Sequence, residues 1–141
     1  MPLTFHLDIV SAEALIFSGP ATQVVVPGKA GELCILARHA PLLGKLRPGL
    51  VRLADQFGQP QELFISSGYL EVQPDTVTIL ADTVLRTPEM DEASARAAME
   101  RTRTALAAHP SAADYDRLKT ELNMELALLR VIEQIRRQSK R

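Results

Sequence analysis

The stretch ADTVLRTPEMDEASARAAME, Ala81 to Glu100, changes the grammar of the chain partway through. Its first residues finish a run of β-favouring, turn-punctuated sequence. After Thr87-Pro88-Glu89 the composition becomes helical. Proline is favoured in a first helical turn, and Glu89, Asp91 and Glu92 put negative charge near a helix N-terminus. Outward from this point the contrast holds. All seven glycines lie before residue 70, and eight of the nine prolines lie before residue 89. Both residues punctuate turns and are costly inside helices. Two domains are therefore expected, residues 1–86 cut into short strands and residues 87–141 folded as two helices broken once, at His109-Pro110.

Upstream of the break, short β-favouring runs follow one another: Phe5–Val10, Thr22–Val26, Glu32–Leu36, Leu50–Leu53, Leu63–Ile65, Tyr69–Val72 and Val77–Leu80. Several alternate polar and apolar residues, as strands with one buried face do. Turn signals stand between them, at Ser18-Gly19-Pro20, Pro27-Gly28, Arg47-Pro48-Gly49, Phe57-Gly58, Ser67-Gly68 and Pro74-Asp75. That spacing predicts an antiparallel sandwich or barrel.

Downstream, one helix is expected over about 89–108, with its best face made mostly of alanine: Ala93, Ala97, Ala98, Ala105 and Ala108. Alanine propagates a helix well but buries little area. Ser111 reads as the N-cap of a second helix, with Asp114 three residues on. That helix carries Tyr115, Leu118, Leu122, Leu126, Leu129, Ile132 and Ile135 at helical spacing, widened by Leu128 and Val131. The two faces are mismatched. The leucine face either packs on the sandwich or is kept for another protein.

The totals exclude several function classes. The hydrophobic share of 46% is that of a globular chain, and the net charge of −1 gives no field for nucleic acid. One cysteine rules out an internal disulfide and points to a reducing compartment. No apolar run approaches the 18 or so residues that span a bilayer, and MPLTFHLDIV lacks the pattern of a signal peptide. The protein is expected to be soluble. Asp8, Glu32, Cys34 and His39 invite a nucleophilic or zinc reading, but the spacing lacks the pattern of either site. Cys34 lies in an apolar run, where a buried, inert thiol is the default. No phosphate-loop motif is present. The segment Ala37-Arg38-His39-Ala40-Pro41-Leu42-Leu43 reads equally as an apolar docking turn or as a strand that starts after Pro41.

Several segments in order carry a resemblance: His6-Leu7-Asp8-Ile9-Val10-Ser11, Phe17-Ser18-Gly19, GELCILARHAPLL (31–43), Leu46-Arg47-Pro48-Gly49, Ser66–Val72, Val77–Thr83 and Leu129-Arg130-Val131-Ile132-Glu133. Together they resemble the epsilon subunit of bacterial F-type ATP synthase over essentially the whole chain. The resemblance implies a ten-stranded antiparallel β-sandwich followed by a two-helix antiparallel hairpin. It implies a non-catalytic rotor subunit of the central stalk, bound to the gamma subunit and to the c-ring of the membrane sector. The place implied is the cytoplasmic face of the bacterial inner membrane, reached only through partners, with no cofactor. The hairpin would inhibit ATP hydrolysis by extending into the catalytic hexamer.

Carried over by residue, the resemblance puts c-ring docking on Gly31, Glu32, Arg38, His39, Ala40 and Pro41, and inhibition on Arg117, Lys119, Arg130, Arg136 and Arg137. Three departures stand out. Cys34 replaces a usual glycine and Ala37 a usual proline. In Met90-Asp91-Glu92-Ala93-Ser94-Ala95, Ser94 takes the place of an arginine in the motif by which some members bind ATP. Arg96, two residues on, is about 200° further round the helix, so ATP binding is not expected. The competing readings are a free-standing β-sandwich binding module that dimerises through its helices, and a small hydrolase using Glu32, Cys34 and His39.

Overall fold

The computed structural model describes residues 3–86 and 91–139. The chain divides into two compact units, Met1–Thr87 and Pro88–Arg141. The expected first-turn residues Thr87, Pro88, Glu89 and Met90 lie outside the described residues.

The first unit is a β-sandwich. Its strands are β1 (Phe5–Ser11), β2 (Leu15–Gly28), β3 (Gly31–Leu36), β4 (Leu42–Leu46), β5 (Gly49–Asp55), β6 (Pro60–Ile65), β7 (Gly68–Val72), β8 (Thr76–Ala81) and β9 (Val84–Arg86). One layer runs β3-β2-β5-β6-β9 and the other β2-β1-β8-β7-β4. The long β2 belongs to both. Its first half pairs with β1, and its second half with β3 and β5. Its register shifts between Ala21 and Gln23, a bulge that changes the strand's buried parity as it passes between layers. Alternate residues point inward. Phe5, Leu7 and Ile9 of β1, Leu70 and Val72 of β7, and Val77 and Ile79 of β8 meet Val51, Leu53, Leu63 and Ile65 in one core.

Three strand expectations are corrected. Nine strands stand among the described residues rather than ten, since β2 serves both layers as one strand. The sandwich is not wholly antiparallel, because β1 and β8 pair in parallel, Leu7 with Val77 and Ile9 with Ile79. Parallel neighbours need a long connection, and here nearly the whole sandwich lies between them. Ser18-Gly19-Pro20 is no turn but part of β2, with Pro20 opposite His6. This half of β2 is an edge of its layer, where the missing N–H of proline breaks no ladder. β4 and β9 were not among the expected strands; β4 realises the strand-start reading of the segment after Pro41.

The second unit is a helical hairpin, α1 (Glu92–Ala107) and α2 (Ala112–Ser139). Asp91 is the N-cap of α1 rather than a first-turn residue; its carboxylate accepts the Ala93 N–H at 3.1 Å and the Ser94 hydroxyl at 2.8 Å. Ser111 caps α2 as expected, its hydroxyl accepting the Asp114 N–H at 3.3 Å. The buried face of α1 is Ala95, Met99 and Thr102, not the expected alanine face, of which Ala93, Ala97 and Ala108 are exposed. Met99 offers far more area to bury than an alanine does. The stripe of α2 is largely as expected, with Leu118 buried and Leu122, Leu126, Leu129, Ile132 and Ile135 half-buried, but Tyr115 is exposed.

Candidate functional site

The six residues expected at one docking end lie at the two ends of β3. Gly31 and Glu32 open the strand, and Arg38–Pro41 follow its close. From Glu32 to Leu36 the strand rises about 13 Å, at roughly 3.3 Å per residue. The candidate site is therefore two patches.

The first patch forms where β2 turns into β3. Gly28 pairs with Gly31 across Lys29 and Ala30. A Cβ on Gly28 would lie 2.5 Å from the Gly31 carbonyl oxygen, and Gly31 has a φ of +140°, so the tight turn needs both glycines. The turn is tied to the neighbouring one. The Lys29 N–H donates to the Lys45 carbonyl, and the Arg47 N–H to the Pro27 carbonyl, each at 2.9 Å. Arg47-Pro48-Gly49 thus stands across Pro27 and Gly28 from Gly31-Glu32. Glu32 is exposed on the outer face, with its two carboxylate oxygens 3.4 and 3.2 Å from Nη2 of Arg52. Arg52 lies on β5, two strands over in the same layer. The patch joins the Glu32–Arg52 pair to a rigid double turn that also carries Lys29, Lys45 and Arg47.

The second patch is the turn from β3 to β4. The His39 N–H donates to the Leu36 carbonyl at 3.2 Å, and Arg38 has a φ of 65°. Ala37 has a negative φ, so the turn is of type II, with its left-handed position filled by arginine. Nδ1 of His39 lies 2.8 Å from the Ala40 carbonyl oxygen, which only accepts, so Nδ1 donates and Nε2 faces away from that bond. Arg38, Ala40 and Pro41 are exposed, and Leu43, the second residue of β4, is 75% exposed. This segment is an exposed turn that leads into a strand start.

Cys34 is exposed, contrary to the buried thiol expected. In β3 only Ile35 reaches the core; Glu32, Cys34 and Leu36 share the opposite face of the strand. The sandwich's other polar cluster is Asp8, His6 and Ser18. The Ser18 hydroxyl donates to Asp8 at 2.6 Å, and His6 Nε2 lies 3.0 Å from the same oxygen. These bonds, Ser18 first, hold the Asp8 carboxyl below its usual range. His6 Nε2 also lies 3.3 Å from the Ser18 oxygen, so one ring nitrogen meets both the carboxylate and the hydroxyl, whereas a catalytic triad divides them between the two nitrogens. Among the described residues no group of three or more His, Cys, Asp or Glu side chains is placed to hold a metal.

On α2 the expected basic residues do not form one face. Arg130 and Arg137, seven residues apart, share a face, while Arg136 lies about a third of a turn away. Arg136 pairs with Glu92 of α1 at 2.8 Å, and Arg137 with Glu133 at 2.8 Å. Arg117 bridges Asp114 and Glu121 at 3.4 and 3.5 Å. The Lys119 ammonium sits 5.8 Å from the centroid of the Tyr115 ring. At the start of α1, the Ser94 hydroxyl is committed to Asp91 and Arg96 pairs with Glu92 at 3.0 Å. No described helix is long and apolar enough to cross a membrane.

Comparison with known proteins agrees with this architecture. Residues 4–87 match the family described as ATP synthase, Delta/Epsilon chain, beta-sandwich domain. The ATP synthase epsilon chain of Alkalilimnicola ehrlichii is 46% identical over 138 residues, covering 98% of this chain and 99% of that one. That of Thioalkalivibrio sulfidiphilus is 46% identical over 141 residues, covering 99% and 100%. In fold, a chain from the OSCP/F1/c-ring of the Euglena gracilis mitochondrial ATP synthase superposes with a TM-score of 0.78 at 22% identity, covering 91% of this chain and 81% of that one. A chain from the Tetrahymena thermophila mitochondrial ATP synthase central stalk and c-ring gives 0.61 at 12% identity, covering 93% and 98%. The chain belongs to the delta/epsilon family of ATP synthase subunits, among the bacterial epsilon chains.

Proposed function

We infer that this chain is a non-catalytic rotor subunit of the central stalk of an F-type ATP synthase, coupling proton flow to rotation. The observation that carries the reading is near-full-length identity of 46% to epsilon chains, spanning the sandwich and both helices. Its partners are the gamma subunit, the c-ring and, through the helices, the catalytic hexamer. It sits peripherally on the cytoplasmic face of the bacterial inner membrane and is held there by those partners.

The two-patch geometry divides the docking work. The turn of Gly31 and Glu32, braced by Arg47-Pro48-Gly49, is the c-ring contact, because its mixed charges on a rigid double turn suit polar loops. The turn of Arg38, His39, Ala40 and Pro41 is a second, separate contact. Residues 1–86 form the docking domain. Residues 87–141 form the regulatory domain, and Arg117, Lys119, Arg130, Arg136 and Arg137 face acidic segments of the catalytic subunits when the hairpin extends. Because exposed pairs are worth about 0–1 kcal/mol each, no single basic residue decides inhibition.

Purification of the complex from cells carrying a tagged chain tests the docking reading. Gamma and the c-ring should co-purify with the full chain and with residues 1–86, whereas a stable homodimer lacking both would support a free-standing module. Removing the chain beyond Ala108 should raise ATP hydrolysis by the catalytic complex and leave assembly intact. Unchanged hydrolysis would exclude the hairpin as an inhibitor.

A further inference from the structure

The seam of the hairpin holds one polar pair. Thr102 and Glu125 are each 7% exposed, and the Thr102 hydroxyl lies 2.6 Å from Oε1 of Glu125. The same hydroxyl lies 3.1 Å from the Ala98 carbonyl oxygen. It has one proton, and the shorter contact to the carboxylate takes it. Both residues stand at stripe positions that apolar side chains otherwise fill. On α1, Thr102 follows Ala95 and Met99 and precedes Leu106; on α2, Glu125 follows Leu118 and Leu122 and precedes Leu129. A groove of about 290 Å³ runs alongside, lined in part by Ala98, Ala105 and Leu118.

We propose that the Thr102–Glu125 hydrogen bond is a latch that fixes the register of the two helices and holds the hairpin closed. A buried carboxylate is costly unless a donor meets it. Thr102 is the one hydroxyl among the buried residues of α1. Sliding α2 by a turn would set Glu125 against Met99 or Leu106, which have no side-chain donor. The pair therefore rewards one register and penalises its neighbours, as a lone polar residue does in a coiled-coil seam. It is also a weak point. When the helices part, water satisfies the carboxylate at once, whereas an all-leucine seam would gain nothing from hydration.

The test uses the full chain with Cys34→Ser and spin labels at the exposed positions 97 on α1 and 134 on α2, both far from the connecting turn. Pulsed electron resonance then reads the interhelical distance. Wild type should give one short distance. Thr102→Val, which keeps the shape and removes the donor, should raise the long-distance population by about tenfold or more. Thr102→Ser, which keeps the hydroxyl, should stay closed, as should Thr104→Val, whose exposed hydroxyl bonds only the Glu100 carbonyl. Thr102→Val with Glu125→Met should close again, because the buried charge is gone. Helix content by circular dichroism separates opening from unfolding. If Thr102→Val melts the hairpin outright, the Thr102→Ser and double-variant distances decide the matter. The latch is overturned if Thr102→Val keeps the wild-type distance, if Thr102→Ser opens as far as Thr102→Val, or if the double variant opens as far as Thr102→Val.

Discussion

The two units bury their apolar residues in different ways. In the sandwich, strands from both layers close over one core, and Leu7, Ile9, Ile35, Leu70 and Ile79 reach zero exposure. In the hairpin, the stripe of α2 beyond Leu118 is half-buried at Leu122, Leu126, Leu129, Ile132 and Ile135 and buried only at Val131, and a carboxylate occupies a seam position. Fully enclosed side chains make many contacts that cannot be replaced piecemeal, so the sandwich should open all at once or not at all. Half-buried stripes and a polar seam can exchange one covering for another. The difference makes the sandwich the part that opens only as a whole and the hairpin the part whose covering can be lost piece by piece.

The largest effects should therefore come from the sandwich core. Ile79→Ala removes a side chain enclosed between β1 and β7 and should cost about 2–5 kcal/mol. Leu126→Ala, on the half-buried stripe, should cost the hairpin less than half as much and leave the sandwich transition in place. Denaturant unfolding followed separately by a probe in each unit would check both. Equal losses for the two variants would break the contrast between the units.

Next come the helix caps. Ser111→Ala removes the acceptor of the Asp114 N–H and should cost the hairpin about 1 kcal/mol. The loss should appear as faster amide exchange in the first turn of α2, with no change in the strands. Faster exchange in β7 and β8 instead would mean that the two units do not open independently.

The strand alternation was legible because each buried strand face repeats every two residues. The first half of β2 was not, because Gly19-Pro20 reads as a turn unless the strand is known to be an edge. β9 has three residues, too few for a period to show. Glu32 could be singled out in the sequence, but Arg52, which holds it, lies twenty residues away and meets it only through the sheet. The resemblance puts Glu32 and His39 in one docking end, and the extended strand β3 lies between them. In α1 the many alanines drew the face to the wrong side; Met99 decides it. Glu125 was missed because a glutamate at helical spacing reads as solvent-facing unless its donor on the other helix is seen.

Acid should weaken each unit through one capped carboxylate. The Ser18 hydroxyl lowers the Asp8 carboxyl in the sandwich, and the Ser94 hydroxyl lowers Asp91 in the hairpin, both from an ordinary value of 3.8. A depressed folded-state value means that the carboxylate stabilises above the unfolded value. That contribution is lost as pH falls through the lower folded value. Melting of wild type against Asp8→Asn and Asp91→Asn, from about pH 6 downward, should show the wild-type advantage flat in the neutral range, shrinking as pH falls through the ordinary carboxylate value of 3.8 and lost below the lower folded value. An advantage that grows on acidification would reverse the sign and remove these bonds from the stability of either unit.

The smallest expected effects are gains, one in each unit. Arg38 and His109 are the two described non-glycine residues with positive φ, 65° and 55°. Arg38 fills the left-handed position of a type II turn, where glycine is favoured. His109 follows the C-cap Ala108 of α1, at the position where helices commonly end on a left-handed glycine. The left-handed conformation costs an ordinary residue about 1–2 kcal/mol, while glycine gives back roughly 0.5–1 kcal/mol through the greater freedom of its unfolded chain. Arg38→Gly should therefore stabilise the sandwich, and His109→Gly the hairpin, each by roughly 0.5–1 kcal/mol. Ala107→Gly, one residue inside the helical boundary of α1, should do the reverse by about 1 kcal/mol. The pair of gains also sharpens the contrast between the units. Arg38→Gly should raise the midpoint of one sharp transition, whereas His109→Gly should slow amide exchange only around the end of α1 and the turn into α2. If His109→Gly raises the sandwich midpoint as much as Arg38→Gly does, the two units melt as one body and the division drawn between them is wrong.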